Sequence, residues 1–162
     1  MRFSYITRIL TLVFFLFYIF LLKDTIINHI SNLYDKNTYK VNDIDHQIRA
    51  ITTQLSNLSR PVPTLCLMRE SREIFKYATP EQLIKLYYAF FPKGCDHKIR
   101  LEQIAVADQK YGNLFKKQYN FHKIFINFIA EFEKYLTKVK ADNLEITRII
   151  TELQILYLSL TK

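Results

Sequence analysis

The residues in this chain best suited to chemistry are Gly94-Cys95-Asp96-His97 and a second thiol, Cys66. A cysteine two residues from a histidine suggests a thiolate nucleophile with its base. Catalytic Cys and His, however, are normally brought together by the fold and need an oxyanion-binding loop beside them. The chain has only two glycines, Gly94 and Gly112. That excludes glycine-rich phosphate cradles, nucleophile elbows and dinucleotide-binding turns, which need several close together. A metal centre made from Cys66, Cys95 and His97 would lack one ligand of a closed zinc sphere. The expectation is therefore no catalytic residue, no metal, no cofactor and no small-molecule substrate.

An even number of cysteines in an oxidising compartment favours a Cys66–Cys95 disulfide, with free thiols or an intermolecular bridge as the alternatives. Closing that loop of about 30 residues would add about 3–4 kcal/mol on the chain-entropy estimate. It would tie the first helix of the C-terminal region to the loop after Pro92. His29, His46 and His122 are isolated, and Asn57-Leu58-Ser59 matches a glycosylation acceptor that matters only in a eukaryotic lumen.

A basic cluster is the second candidate. Lys110, Lys116, Lys117 and Lys123 are interleaved with Tyr111, Phe115, Tyr119 and Phe121, and most of the net charge of +8 falls beyond residue 60. Basic residues among aromatics can grip single-stranded nucleic acid. The membrane topology argued next makes nucleic acid an unexpected partner, and anionic lipid, an acidic protein or polyanionic envelope material fits better. A plain solvated basic face is the alternative.

These groups must be positioned by a chain of 162 residues that is 49% apolar, with mean hydropathy −0.04. The apolar residues are concentrated in Ile9–Leu22, ILTLVFFLFYIFLL, where twelve of fourteen are Leu, Ile, Val or Phe. At about −0.3 to −0.6 kcal/mol each near the bilayer centre, these residues favour insertion by about 4–7 kcal/mol. Fourteen helical residues reach only about 21 Å, so Phe3, Tyr5 and Ile6 must lengthen the span while Arg8 snorkels. A single transmembrane signal-anchor is expected over about 4–23. Cleavage as a signal peptide is disfavoured, because the first alanine is Ala50 and the first glycine Gly94, leaving no small-residue cleavage site. Arg2 and Arg8 precede the apolar run Ile9–Leu22, whereas Lys23 and Lys36 stand beside Asp24 and Asp35. The short N-terminus should then stay in the cytoplasm, with the remainder outside. A bacterial inner membrane with a periplasmic C-terminal region is the first choice, and mitochondrial or endoplasmic membranes stay open.

Residues 24–60 carry a seven-residue repeat that begins in the membrane. Position a is Phe20, Ile27, Tyr34, Val41, Ile48 and Leu55; position d is Lys23, Ile30, Asn37, Ile44, Ile51 and Leu58. Ten of these twelve are apolar or aromatic, the pattern of a coiled coil. The expected interface is Ile27, Ile30, Val41, Ile44, Ile48, Ile51, Leu55 and Leu58. In a parallel homodimer Lys40 would face Asp45, and Asn37 would set register at some cost in stability. The competing reading folds the same stripe back onto the chain's own C-terminal region. Lys36-Asn37-Thr38 is where the helix would break most easily. A straight stalk from 23 to 58 would hold the rest about 54 Å from the bilayer.

Beyond Pro61-Val62-Pro63, punctuation marks further helices. Thr79-Pro80-Glu81-Gln82 is a capping box with proline at the first helical position, and Asp142-Asn143-Leu144-Glu145 repeats the logic with Asp142 as cap. Helices are expected at 65–77, 80–91, 97–118, 121–139 and 143–160. Phe121, Phe125, Phe128, Phe132 and Tyr135 form one stripe, read as a core seam that packs against Ile146, Ile149, Ile150, Leu153, Leu156 and Leu160. The fold class is thus all-α, in three parts: tail and anchor at 1–23, coiled-coil stalk at 24–60, and a helical-bundle head of about five helices at 64–162.

The expected function is non-enzymatic. It is that of a bitopic membrane protein acting as an assembly or scaffold component of an envelope complex, with an envelope protein as partner. The anchor and coiled coil of residues 1–60, with Ala107-Asp108-Gln109-Lys110-Tyr111 and Leu114, make the layout similar to the inner-membrane spanins of phage lysis. That resemblance implies a periplasmic coiled coil ending in helix, from which the long aromatic head departs. An immunity or entry-exclusion factor is a second alternative, and an envelope thiol enzyme using Cys95 a remote third.

Overall fold

A computed structural model of the chain describes residues 2–114, 119–139 and 142–162; the side chains of 2, 3 and 33–41 lie outside the description. The described residues form helices and turns, without a strand. The helices are α1 (Arg2–Leu55), α2 (Thr64–Phe75), α3 (Pro80–Phe90), α4 (His97–Leu114), α5 (Phe121–Lys138) and α6 (Leu144–Thr161). The backbone of α1 is helical through Lys36-Asn37-Thr38, the point named above as its weakest. Contacts divide the chain into two units, residues 1–41 and 42–162.

The first unit is helical throughout its described length. Ser4–Asn32 is long and apolar enough to cross a membrane, and none of it is buried. Its hydroxyls suit an apolar surround: Thr11 Oγ1 donates to Thr7 O at 2.7 Å and Thr25 Oγ1 to Leu21 O at 3.0 Å. A hydroxyl bonded to the carbonyl one turn back needs no water.

The second unit begins at Asn42, well before the expected head boundary at residue 64. Ile44, Ile48, Ile51 and Leu55, spaced at four, three and four residues, are buried in one core with α2 to α6, and Leu58 packs against it. This corrects the coiled-coil assignment for those five positions. The stripe is real, but the chain's own helices cover it, since a monomer that can bury an apolar stripe internally leaves nothing for a second strand. Ile27 and Ile30 remain exposed, and the Val41 side chain lies outside the described residues. The part of the repeat outside this core is at most residues 24–41, about 27 Å of helix.

Pro61-Val62-Pro63 is likewise no interdomain linker. Val62 is buried, and its N–H donates to Ala107 O of α4 at 3.1 Å. α3 starts as its sequence requires: Gln82 N–H donates to Thr79 Oγ1 at 3.3 Å, and Thr79 N–H to Gln82 Oε1 at 3.0 Å. The Gln82 amide then donates to Asp45 Oδ1 of α1 at 3.1 Å, joining the two elements. α6 is capped by Asn143, whose Oδ1 accepts from Glu145 and Ile146 N–H, and not by Asp142 as expected. Asp142 has φ +36°, a left-handed conformation that aspartate tolerates better than most residues.

The aromatic stripe is the core seam. Phe125, Phe128 and Phe132 are buried, and Phe75 of α2 lies 4.7 Å from Phe132 and 5.8 Å from Phe128, ring centre to ring centre. Ile146, Ile149, Ile150, Leu153 and Leu156 bury the facing side of α6.

One cation is central to this unit. Arg100 of α4 donates from Nε to Phe90 O at 2.8 Å, and from Nη2 to Leu55 O at 2.9 Å and Ala89 O at 3.3 Å. Those carbonyls lie at the C-terminal ends of α1 and α3, where four carbonyls per helix lack intrahelical donors and the helix dipole is negative. Burial lowers the Arg100 pKa, yet guanidinium starts so high that it stays charged at neutral pH.

Candidate functional site

The chemistry-bearing turn lies in a polar cleft of about 390 Å³ between α3, α4 and α6, lined by Tyr87, Tyr88, Cys95, His97, Arg148 and Glu152 among others. Gly94 sits at φ +79°, in the left-handed position of a turn closed by Cys95 N–H donating to Pro92 O at 3.1 Å. The turn delivers Cys95 and His97 to the mouth of the cleft, but it does not make them a catalytic pair. His97 Nε2 lies 2.7 Å from Tyr87 Oη, and that hydroxyl donates to Glu152 Oε2. Because a phenol carries one proton, Nε2 must be the donor in the His97–Tyr87 bond. The imidazole also stacks on Phe91 at 4.9 Å. Its donor nitrogen is thereby committed to a network joining one residue from each of α3, α4 and α6.

Electrostatics agree. Burial raises the Cys95 thiol above its ordinary pKa, outweighing the favourable Arg100 charge, so the sulfur stays protonated at neutral pH. Burial, and then the hydrogen bond to Glu152, pushes the Tyr87 phenol well above the usual tyrosine range. At the rim, Tyr88 donates to Glu145, and Arg148 Nη2 reaches Tyr88 Oη at 2.6 Å and Glu145 Oε1 at 2.8 Å. That hydrogen bond from Tyr88 is the main influence holding the Glu145 carboxyl below its ordinary value. Alkylation of Cys95 by iodoacetamide should therefore accelerate only above the pH range of a free thiol. A rate already at plateau near pH 7 would indicate an activated thiolate and contradict this assignment.

The expected disulfide is corrected: Cys66 and Cys95 are both free thiols. Cys66, on the first turn of α2, is close enough to Tyr119 to act on its ionisation, and Tyr119 donates to Asp108 of α4. Cys95 precedes the start of α4 and acts on Tyr87. Asp108 lies eleven residues beyond His97 on α4, about 16 Å along the helix, whereas a disulfide needs Cα atoms within about 7 Å. Thermal unfolding should consequently be insensitive to reductant, read as the same Tm with and without dithiothreitol. A loss of several degrees on reduction would restore the staple.

Asp108, named in the sequence only as part of the Ala107–Tyr111 run, has a buried position that the run did not indicate. It is 4% exposed, accepts from Tyr119 through Oδ2, and lies near the N–H groups of Thr64 and Leu65 that open α2. The residue before α2 is Pro63, which offers no side-chain cap; Thr64 N–H donates to Val62 O at 2.9 Å, and Asp108 Oδ1 is buried without a hydrogen-bond partner among the described residues. Burial raises the Asp108 pKa. Arg100, Tyr87 and Glu152 were missed as well, since their roles depend on partners distant in sequence.

The basic cluster is only partly placed. Lys110 Nζ reaches Ser59 O at 3.4 Å, Lys123 is exposed on the first turn of α5, and Lys116 and Lys117 lie outside the described residues. Among the described residues no group of three or more His, Cys, Asp or Glu is arranged to hold a metal ion. Exposed apolar side chains also occur in this unit: Ile99 and Val106 on α4, Leu144, Ile155 and Leu158 on α6, and a groove of about 270 Å³ between α5 and α6 is lined by Ile129 and Leu153. No family model matches this chain, and neither a curated protein nor a solved structure is significantly similar to it.

Proposed function

We propose that this chain is a membrane-anchored interaction protein without catalytic activity: one N-terminal span, a cytoplasmic N-terminus and a helical head on the far side of a bacterial inner membrane, where it takes part in an envelope assembly. The observation that carries the reading is the wholly unburied apolar helix Ser4–Asn32, in a chain whose second unit closes its own core from residues 42–162. Exposing that many Phe, Leu and Ile side chains to water would be prohibitive, so a bilayer or an apolar partner must cover them. Arg2 and Arg8 supply the orientation.

The thiol-enzyme reading loses support from the protonated Cys95 and the engaged His97. An interaction role gains support from the exposed aliphatic side chains of α4 and α6. The exposed Ile27 and Ile30 leave room for a short parallel pairing next to the membrane, although the head occupies the rest of the repeat.

Two measurements test the reading. The chain should resist extraction from membranes by alkaline carbonate, and alkaline phosphatase fused after Lys162 should be active in the periplasm. Release by carbonate, or a fusion active only in the cytoplasm, would refute the anchor or its orientation respectively.

A further inference from the structure

α6 is apolar on both sides. Its inward face is Ile146, Ile149, Ile150, Leu153 and Leu156, all buried. At 100° per residue the opposite pole is Leu144, Thr147, Thr151, Ile155 and Leu158, all exposed, with Leu144 87%, Ile155 63% and Leu158 58% accessible. That is where a helix lying on a core should carry its charges, and a helix apolar all round is normally covered on both sides. The two threonines do not make the strip polar. Thr147 Oγ1 donates to Asn143 O at 3.2 Å and Thr151 Oγ1 to Thr147 O at 3.0 Å, which satisfies both hydroxyl protons within the helix.

We propose that this outer face of α6 is a homodimer surface, on which a second copy of the chain packs its own α6 in antiparallel orientation about Thr151. Three features select a second copy. First, the strip is self-complementary: pairing about residue 151 sets Leu144 of one copy against Leu158 of the other and Thr147 against Ile155, with the small Thr151 at the crossing where two backbones approach most closely. Second, the charges fit. Arg148 and Glu152 lie on the same edge of the strip, so the antiparallel two-fold brings Arg148 of each copy beside Glu152 of the other, while the opposite edge carries uncharged Gln154. Third, one helix pair covers less than the roughly 1,200–2,000 Å² of a stable free complex. Such a contact is suited to copies already held together in a membrane, where confinement raises the effective concentration. In that respect the inference rests on the anchor proposed above, which carbonate extraction tests separately.

The test is oxidative cross-linking of the full chain in native membranes, in a Cys66→Ser, Cys95→Ser background. A residue on a two-fold axis meets its own copy, so Thr151→Cys should give a covalent dimer as the major species. Lys85→Cys, exposed on α3, should give none. Adding Ile155→Glu should abolish the Thr151→Cys dimer without lowering the Tm, because Ile155 is outside the core. A Thr151→Cys thiol that reacts with maleimide yet stays monomeric overturns the proposal. So does an adduct of another mass, which would assign the face to a different protein. A thiol shielded in membranes but never cross-linked would assign it to lipid, and also overturns the dimer.

Discussion

A chain starting at residue 64 is expected not to fold, whereas one starting at Asn42 is expected to unfold cooperatively. Ile44, Ile48, Ile51 and Leu55 are 6%, 3%, 0% and 0% exposed, and all lie in the core that includes Phe90, Ile104 and Phe125. Burying four such side chains contributes about 1.5–3 kcal/mol each, or about 6–12 kcal/mol together. A small domain has only about 5–15 kcal/mol of net stability, so the truncation removes most or all of it. It also removes Leu55 O, the α1 acceptor of Arg100, and Asp45, the acceptor of the Gln82 amide. Circular dichroism and urea titration of the two fragments check this: the 64–162 fragment should show helical signal without a sharp transition. A steep unfolding transition in that fragment would return residues 42–58 to the role of a separate stalk. In the intact chain, Leu55→Ala should cost about 2–5 kcal/mol through the cavity it leaves.

Arg100→Met should destabilise the second unit by about 3 kcal/mol, read as a lower urea midpoint with an unchanged slope. The guanidinium donates three hydrogen bonds to carbonyls that end α1 and α3. Hydrogen bonds to a charged group are worth about 1.5–3 kcal/mol, and carbonyls left unsatisfied keep their desolvation penalty. Methionine fills similar volume with no donor, so the loss reports the hydrogen bonds more than a cavity. Arg100→Lys should recover only part of it, because one ammonium cannot fork between Phe90 O and Leu55 O as the planar group does. Equal stability of Arg100→Met and the parent chain would show that water satisfies these helix ends instead.

Much of the fold was legible because its signals are local. The Thr79–Gln82 capping box, Pro92 after α3 and the four-three spacing of Phe121 to Tyr135 depend on neighbours within one or two turns. The starts of α2 to α6 and the ends of α2, α3, α5 and α6 follow from them to within a few residues, while residues 115–118 of the expected 97–118 helix lie outside the described residues. The Asp142 misreading is of the same scale: Asp and Asn are both good caps, and backbone conformation chose the second.

The candidate site was less legible. Gly94 to His97 could be recognised as an unusual turn, but not that His97 would face Tyr87 and Glu152 in place of Cys95, since those partners lie on helices 10 and 55 residues away. Hydropathy cannot distinguish a stripe that meets a second chain from one that meets its own, because the apolar positions are the same. The heptad of α1 therefore supported a long stalk until the core claimed Ile44 to Leu55.

By itself the sequence determined that the chain is helical, that one segment is suited to a bilayer, and which face of most helices is apolar. Each of these depends on composition and spacing within a single element. Only the tertiary structure decided that the second unit begins at Asn42, that the two thiols stand apart, that Arg100 closes two helix ends, and that Leu144, Ile155 and Leu158 of α6 stay exposed among the described residues. Those outcomes depend on which elements meet, and energies of meeting are shared among residues far apart in the chain.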